Sequence, residues 1–109
     1  MKLPLKVKVS YLDYDIRELP FELAIASDKH GDCDHIDNLI RVQLKGHSPQ
    51  QQANTLLHEV IHAVFHLYGI SLKSEEMVVC GLSNGICQVI RDNPKVMKFI
   101  FGGLNNGGH

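Results

Sequence analysis

The chain has 109 residues, of which 44% are hydrophobic and 21% are charged, and its formal net charge is -1. This length and composition are ordinary for one globular domain and leave no room for a second. The near-neutral charge and the lack of a basic cluster argue against nucleic acid as a partner, and no apolar run is long enough to cross a membrane.

The N-terminus and the cysteines indicate the cellular compartment. Residues 1–6 lack the apolar core of a secretory signal. The three cysteines are odd in number. Cys80 and Cys87 fall about 10 Å apart along a predicted helix, too far for a disulfide. We therefore expect reduced thiols in a cytoplasmic protein. The sequence leaves the oligomeric state open.

The first half of the chain has the patterns of short strands and turns. Apolar and polar side chains alternate over residues 5–11, which predicts a half-buried strand. Residues 12–20 favour a loop or a short turn of helix, whereas residues 21–26 favour a second strand. Residues 28–32 have the composition of a turn. Residues 39–44 alternate again and predict a further strand.

A long helix follows, and its two ends are marked in the sequence. Ser48 is a good N-cap, and Pro49 suits the first helical position. Gln51 completes an S-x-x-Q capping box with Ser48. Gly69 supplies the C-terminal stop.

Two more helices complete the chain. Ser74 can cap the first of them, which ends at Asn93. Residues 94–101 predict a short final helix that Gly102 closes, so residues 1–101 form a single domain and residues 102–109 a flexible tail. Strands followed by helices predict an α+β fold. The second helix carries one broad apolar face, made of Val78, Val79, Leu82, Ile86, Val89 and Ile90.

His58, Glu59 and His62 form an H-E-x-x-H motif inside the apolar, helix-patterned segment. Two histidines four residues apart share a helix face, about 6 Å apart along the axis, so their imidazoles can converge on one ion. Glu59 lies beside that ion and is placed to take a proton from the attacking water. The motif therefore predicts a zinc site that hydrolyses an amide bond.

A third ligand must come from elsewhere, because catalytic zinc takes three protein ligands and keeps a fourth position for water. Glu75 and Glu76, at the start of the next helix, are the candidates. Glu75 is preferred, because it shares a face with Val78 and Val79 that is expected to pack on the motif helix. Glu76 points about 100° away, toward Cys80. Acidic residues in a first turn also favour the helix dipole without any metal.

Other residues of types that bind metals are expected to lie outside the zinc site. His66 lies about 12 Å along the axis from the first motif histidine, too far to share its ion. Residues 30–37 are rich in His, Cys and Asp and are expected to form a polar surface loop. In a minor alternative, a Cys33 thiolate occupies the open zinc position. A thiol-based enzyme using Cys80 or Cys87 is disfavoured, since an apolar helix raises the pKa of a thiol.

The run His58-Glu59-Val60-Ile61-His62-Ala63, followed by Gly69 and by Glu75-Glu76 before an apolar helix, resembles the zincin metallopeptidases of the glutamate-ligand branch. The similarity is to small phage- or prophage-type zinc peptidases related to the ImmA/IrrE group, and residues 56–94 carry most of it. It implies a minimal zincin-like domain, in which a small antiparallel or mixed sheet precedes the H-E-x-x-H helix and a ligand-bearing helix.

The same resemblance implies specific roles for residues. One Zn²⁺ would be held by His58, His62 and Glu75, with Glu59 as the general base. The strand over residues 39–44 would edge the cleft and pair with an extended peptide substrate.

The sequence is therefore consistent with two functions. The first is a zinc-dependent metallopeptidase that acts on a protein or peptide in the cytoplasm of a bacterial cell or a phage-infected host. The alternative is a non-catalytic, zinc-containing binding or regulatory module of phage or prophage origin. Glu59 favours the enzyme, because a structural zinc site needs no base. Tyr68, His66 and His35 all stay open as the donor that stabilises the oxyanion.

Overall fold

The computed structural model describes residues 2–106 of the chain, which fold into strands followed mainly by helices. The prediction of an α+β fold is confirmed. The elements are β1 (Lys6–Val9), β2 (Leu12–Glu18), α1 (Phe21–Ser27), β3 (Gly31–Asp34), β4 (Leu39–Val42), α2 (Pro49–Leu67), α3 (Glu75–Asp92) and α4 (Pro94–Asn106).

The strands form one mixed sheet in the order β1-β2-β4-β3. Strands β2 and β4 are parallel, and the two outer pairs are antiparallel. Helix α2 packs across one face of this sheet. Ala63 of α2 is fully buried there, since its small side chain lets the helix approach the strands closely. The strand residues that share this core are Val9, Tyr14, Ile16, Ile40 and Val42.

The prediction of a loop over residues 12–20 is wrong, because most of that segment is strand β2. Ser10 adopts a left-handed conformation (φ 56°) in the two-residue turn that joins β1 to β2. Tyr14 and Ile16 point into the core. The charged residues that alternate with them point to the other side of the strand, so this segment also carries the period of two that is typical of a half-buried strand.

The prediction of a second strand over residues 21–26 is also wrong, because this segment forms helix α1. Pro20 stands at the N-cap, and its carbonyl accepts a hydrogen bond from the Ala24 N–H at 2.9 Å. Ala24 is the side chain that α1 buries. Asp28 then ends the helix in a left-handed conformation (φ 54°).

The polar segment expected as a turn and a surface loop contains strand β3 at the edge of the sheet. One of its polar side chains, Asp32, makes a cross-strand contact with β4. The Arg41 guanidinium donates from Nε to Asp32 at 2.9 Å across the pair of strands. A strand held by such pairs lacks the apolar alternation that marks a half-buried strand in sequence.

Helix α2 has the predicted ends. The Gln51 N–H donates to Ser48 Oγ at 3.2 Å, and the Ser48 N–H donates to Gln51 Oε1 at 2.8 Å, so the capping box is confirmed. Gly69 follows the helix with a φ of 71°, the left-handed conformation that glycine adopts without strain.

Helix α3 presents a different face to α2 than the sequence predicts. Val79 is fully buried against Ile61 and Phe65 of α2, and Ser83 is also buried. Val78 packs partly against the same cluster, whereas the other residues of the apolar face open onto a groove beside α4. The side chains concerned, each about 40% exposed, are Leu82, Ile86, Val89 and Ile90.

Helix α4 continues through the two glycines at positions 102 and 103 to Asn106, so the predicted helix end at Gly102 is wrong. Residues 107–109 of the predicted tail lie outside the described residues. Among residues 2–106, no helix combines the length and the apolar character that a membrane span requires.

Gly31 marks the closest approach of β3 to α2. A Cβ at this position would lie 2.6 Å from Thr55 Cγ2 and 2.8 Å from the Arg41 carbonyl oxygen. We expect Gly31→Ala to lower the free energy of unfolding by about 1–3 kcal/mol, because strands and helix would have to move apart. Urea denaturation followed by circular dichroism measures this change.

Gly85→Ala is the matched control, since Gly85 is exposed within α3 and a Cβ there meets no atom within 4 Å. This variant is expected to be more stable than the wild type by about 0.5–1 kcal/mol, through helix propensity alone. An unchanged stability of Gly31→Ala would contradict the close packing of β3 on α2.

Candidate metal centre

Helix α2 brings the two motif histidines together at the wall of a cleft. The Nε2 atoms of His58 and His62 are 3.2 Å apart, and their ring centroids are 4.9 Å apart. Both side chains are largely buried, with 16% and 14% of their surface exposed. The two imidazoles therefore converge, with one nitrogen of each directed at a common point.

Glu76 is the carboxylate that meets both of these nitrogens. Its Oε1 lies 2.7 Å from His58 Nε2, and its Oε2 lies 2.9 Å from His62 Nε2. Burial alone would raise the pKa of Glu76, but the two histidines outweigh it and lower that pKa overall. The three side chains thus form a compact set of two imidazoles and one carboxylate.

Glu75, the glutamate preferred from the sequence, lies on the other side of the His62 ring. Its Oε2 is 2.6 Å from His62 Nδ1. Burial alone would lower the pKa of His62, but the hydrogen bond to Glu75 and the nearby acids raise it. A carboxylate on Nδ1 holds the proton there and leaves Nε2 free as an acceptor or a metal ligand.

Glu59 is buried between α2 and β3, with 7% of its surface exposed, and it also lines the cleft. A Cβ on Gly31 would come within 3.3 Å of Glu59 Oε2, so β3 closes over this carboxylate. Burial raises the pKa of Glu59 to about 7, against an opposing effect of His62. A divalent cation in the cleft would favour the ionised form of Glu59.

The cleft has a volume of about 810 Å³ and is bordered by β3, α2 and α3. The prediction that the strand over residues 39–44 edges the cleft is wrong, because β4 is paired on both sides, by β2 and by β3. Strand β3 is the edge strand on this side of the sheet, and its residues Gly31, Asp32 and Cys33 line the cleft.

The structure distinguishes the three residues that the sequence leaves open as oxyanion donors. His35 lines the cleft, and its Nδ1 lies 3.2 Å from the Tyr14 hydroxyl. His66 stacks on the His35 ring, with centroids 4.0 Å apart, and is not among the residues that line the cleft. Tyr68 is 63% exposed and also lies outside it.

Each of the three cysteines is a free thiol, and all three line the cleft. Cys33 contacts His35 rather than the motif histidines, and burial raises the pKa of its thiol to about 12. Burial also raises the pKa of Cys80 and of Cys87, as the sequence predicts, which disfavours a thiol nucleophile.

Cys80 lies close to the histidine–glutamate set, because Glu76, toward which the sequence predicts this residue to lie, joins the two histidines. Its Sγ is 3.7 Å from Glu76 Oε1 and 3.9 Å from His58 Nδ1. The sequence does carry a signal for this contact, because Glu76 and Cys80 are four residues apart and share a helix face.

Comparison with protein-family models, with curated proteins and with solved structures found no match to this chain.

Proposed function

We propose that this protein is a zinc-dependent metallopeptidase in which His58, His62 and Glu76 bind one Zn²⁺ and Glu59 is the general base. The observation that carries the proposal is the convergence of both Nε2 atoms and the Glu76 carboxylate beside a buried glutamate. Two imidazoles and one carboxylate are a donor set that catalytic zinc uses, with the fourth position left for water.

The spacing of the donor atoms supports this choice of metal. Two nitrogens bound to tetrahedral zinc at about 2.05 Å lie about 3.3 Å apart. The Nε2 atoms of His58 and His62 are 3.2 Å apart in this structure. Glu76 lies within 2.9 Å of both nitrogens, so a small outward movement of one flexible side chain makes room for the ion.

The proposal assigns the third ligand to Glu76, the weaker candidate from the sequence, in place of Glu75. Glu76 contacts both Nε2 atoms, whereas Glu75 contacts only Nδ1 of His62. A carboxylate behind a ligating imidazole fixes the orientation of the ring and increases its basicity. Glu75 therefore supports a ligand, and Glu76 is one.

The proposed reaction is hydrolysis of a peptide bond in a protein or peptide substrate. Zinc in this site would acidify a water molecule and polarise the scissile carbonyl. Glu59 takes the proton of the attacking water and passes it to the leaving amine. Of the three oxyanion donors considered, His35 is the one that lines the cleft. An extended substrate would pair with the free edge of β3.

The H-E-x-x-H helix followed by an acidic helix start also supports placing the chain with zincins of the glutamate-ligand branch, beside the ImmA/IrrE group and its phage- or prophage-type peptidases. A cytoplasmic location suits a chain in which Cys33, Cys80 and Cys87 are all free thiols.

A second candidate function is a zinc-containing binding or regulatory module without catalysis. The position of Cys80 favours it, because a thiolate beside His58 and Glu76 could complete a closed, four-ligand site. The buried Glu59 favours the enzyme, since a closed structural site gives this costly buried acid no role.

Metal analysis of single variants tests the ligand set. We expect one zinc per wild-type chain and its loss in His58→Ala, His62→Ala and Glu76→Ala. Glu75→Ala should keep the ion with an affinity lowered by roughly 10- to 100-fold, as for other groups that orient a ligand. Elemental analysis and competition with a chelator measure both effects.

Glu22→Ala, which removes an exposed acid on α1, is the control for that series and should bind zinc like the wild type. Zinc lost in Glu75→Ala and retained in Glu76→Ala would reverse the assignment of the two glutamates. Zinc retained in both histidine variants would exclude the site altogether.

Glu59→Gln tests the catalytic role. The variant should fold and bind zinc, yet cleave substrate at least about 10²-fold more slowly, because the amide cannot accept the proton. Release of fragments from a disordered protein and from a peptide library, read by mass spectrometry, measures cleavage. Glu22→Gln is the matched control and should cleave normally.

Equal cleavage by Glu59→Gln and the wild type would remove Glu59 from the mechanism. Two zinc-loaded proteins that both fail to cleave any substrate in the library would favour the non-catalytic module.

A further inference from the structure

Cys80 stands one helical turn after Glu76, on the side of α3 that faces the cleft. One ligand atom from each of His58, Glu76 and Cys80 lies within 4.8 Å of the others. The thiol is exposed to the cleft, so it is free to turn toward the histidines.

We infer that Cys80 is a fourth zinc ligand, which closes the proposed site while no substrate is bound. This inference rests on the proposed zinc site. Sulfur and oxygen bound to one tetrahedral zinc ion, at about 2.3 and 2.05 Å, lie about 3.6 Å apart. The Cys80 thiol donates to Glu76 Oε1 at 3.7 Å in this structure, so the sulfur already lies near this spacing before the carboxylate moves to admit the ion.

Closing the site has a chemical consequence. A catalytic zinc ion needs an open position for water, and a fourth protein ligand fills it. The Cys80 thiol gives up one proton to solvent when its sulfur binds the ion, and it takes a proton back when water displaces it. The resting protein is therefore latent, and exchange of sulfur for water activates it.

The other two thiols do not reach the same position. Cys33 Sγ contacts His35 Nδ1 at 3.6 Å, on the β3 side of the cleft. Cys87 lies seven residues beyond Cys80, about 10 Å further along α3. The chain thus provides two natural control thiols in the same cleft.

A weaker role for Cys80 must be distinguished from ligation. Its sulfur also lies 3.9 Å from His58 Nδ1, the nitrogen turned away from the proposed ion. Cys80 could therefore support the His58 ring as Glu75 supports His62. The two roles differ in whether a metal–sulfur bond forms.

Binding of Co²⁺, a coloured substitute for zinc, tests for that bond in the full-length protein. We expect the wild type to show visible bands of tetrahedral cobalt together with a near-ultraviolet sulfur-to-cobalt charge-transfer band. Cys80→Ser should lose the charge-transfer band and keep the visible bands. Cys33→Ser and Cys87→Ser should keep both.

A second measurement tests for the bond between the metal and the Cys80 sulfur without cobalt. Iodoacetamide should modify Cys80 in the metal-free protein and be blocked there by zinc, with peptide mass spectrometry assigning each thiol. Zinc-loaded Cys80→Ser should also hydrolyse substrate faster than the wild type, because its site is open.

The outcomes separate this inference from the proposed function. Visible cobalt bands without charge transfer in the wild type would overturn ligation by Cys80 and leave the three-ligand site standing. A charge-transfer band that survives in Cys80→Ser would assign the bond to another thiol and overturn the inference. A chain that binds neither cobalt nor zinc would overturn both.

Discussion

The contact between α2 and α3 decides which side chains reach the motif histidines. Val79 and Ser83 are the residues of α3 buried in it, and they lie about 40° and 80° around the helix from Glu75. Glu75 and Glu76, about 100° apart, therefore fall on either side of the buried direction. One glutamate reaches Nδ1 of His62 and the other reaches Nε2.

This arrangement explains why the sequence predicts three residues of the candidate site but not the fourth. His58, Glu59 and His62 belong to one helix, and a local repeat of 3.6 residues fixes their relative positions. The third donor depends on how α3 is rotated about its axis, which is a tertiary property. The apolar face of α3 is centred on the side of the helix that carries Glu75. The side that is buried against α2 is rotated from it by about 60° around the helix axis. The leucine and isoleucine side chains of that face stay partly exposed instead of packing on α2.

The elements of the fold also divide into those that local sequence signals predict and those that they do not. The capping box at Ser48 and the glycine at position 69 are local signals, and the ends of α2 follow from them. Strand β3 pairs with β4 across a short hairpin, and its polar residues give it no apolar alternation by which the sequence could predict a strand. Because the sequence does not predict β3, the predicted edge of the cleft is also wrong. Strand β3 covers β4, the strand that was expected to bind substrate.

The assignment of the third ligand and the position of Cys80 are consequences of the same rotation. Cys80 follows Glu76 by four residues, so a turn of α3 that brings Glu76 to the Nε2 atoms brings the thiol to the cleft as well. A rotation that placed Glu75 there instead would carry Cys80, about 140° from Glu75, away from the histidines. A carboxylate at position 76 beside the Nε2 atoms and a thiol close to that carboxylate therefore occur together. The packing of Val79 on α2 therefore sets both which carboxylate meets the two Nε2 atoms and which thiol lies beside that carboxylate.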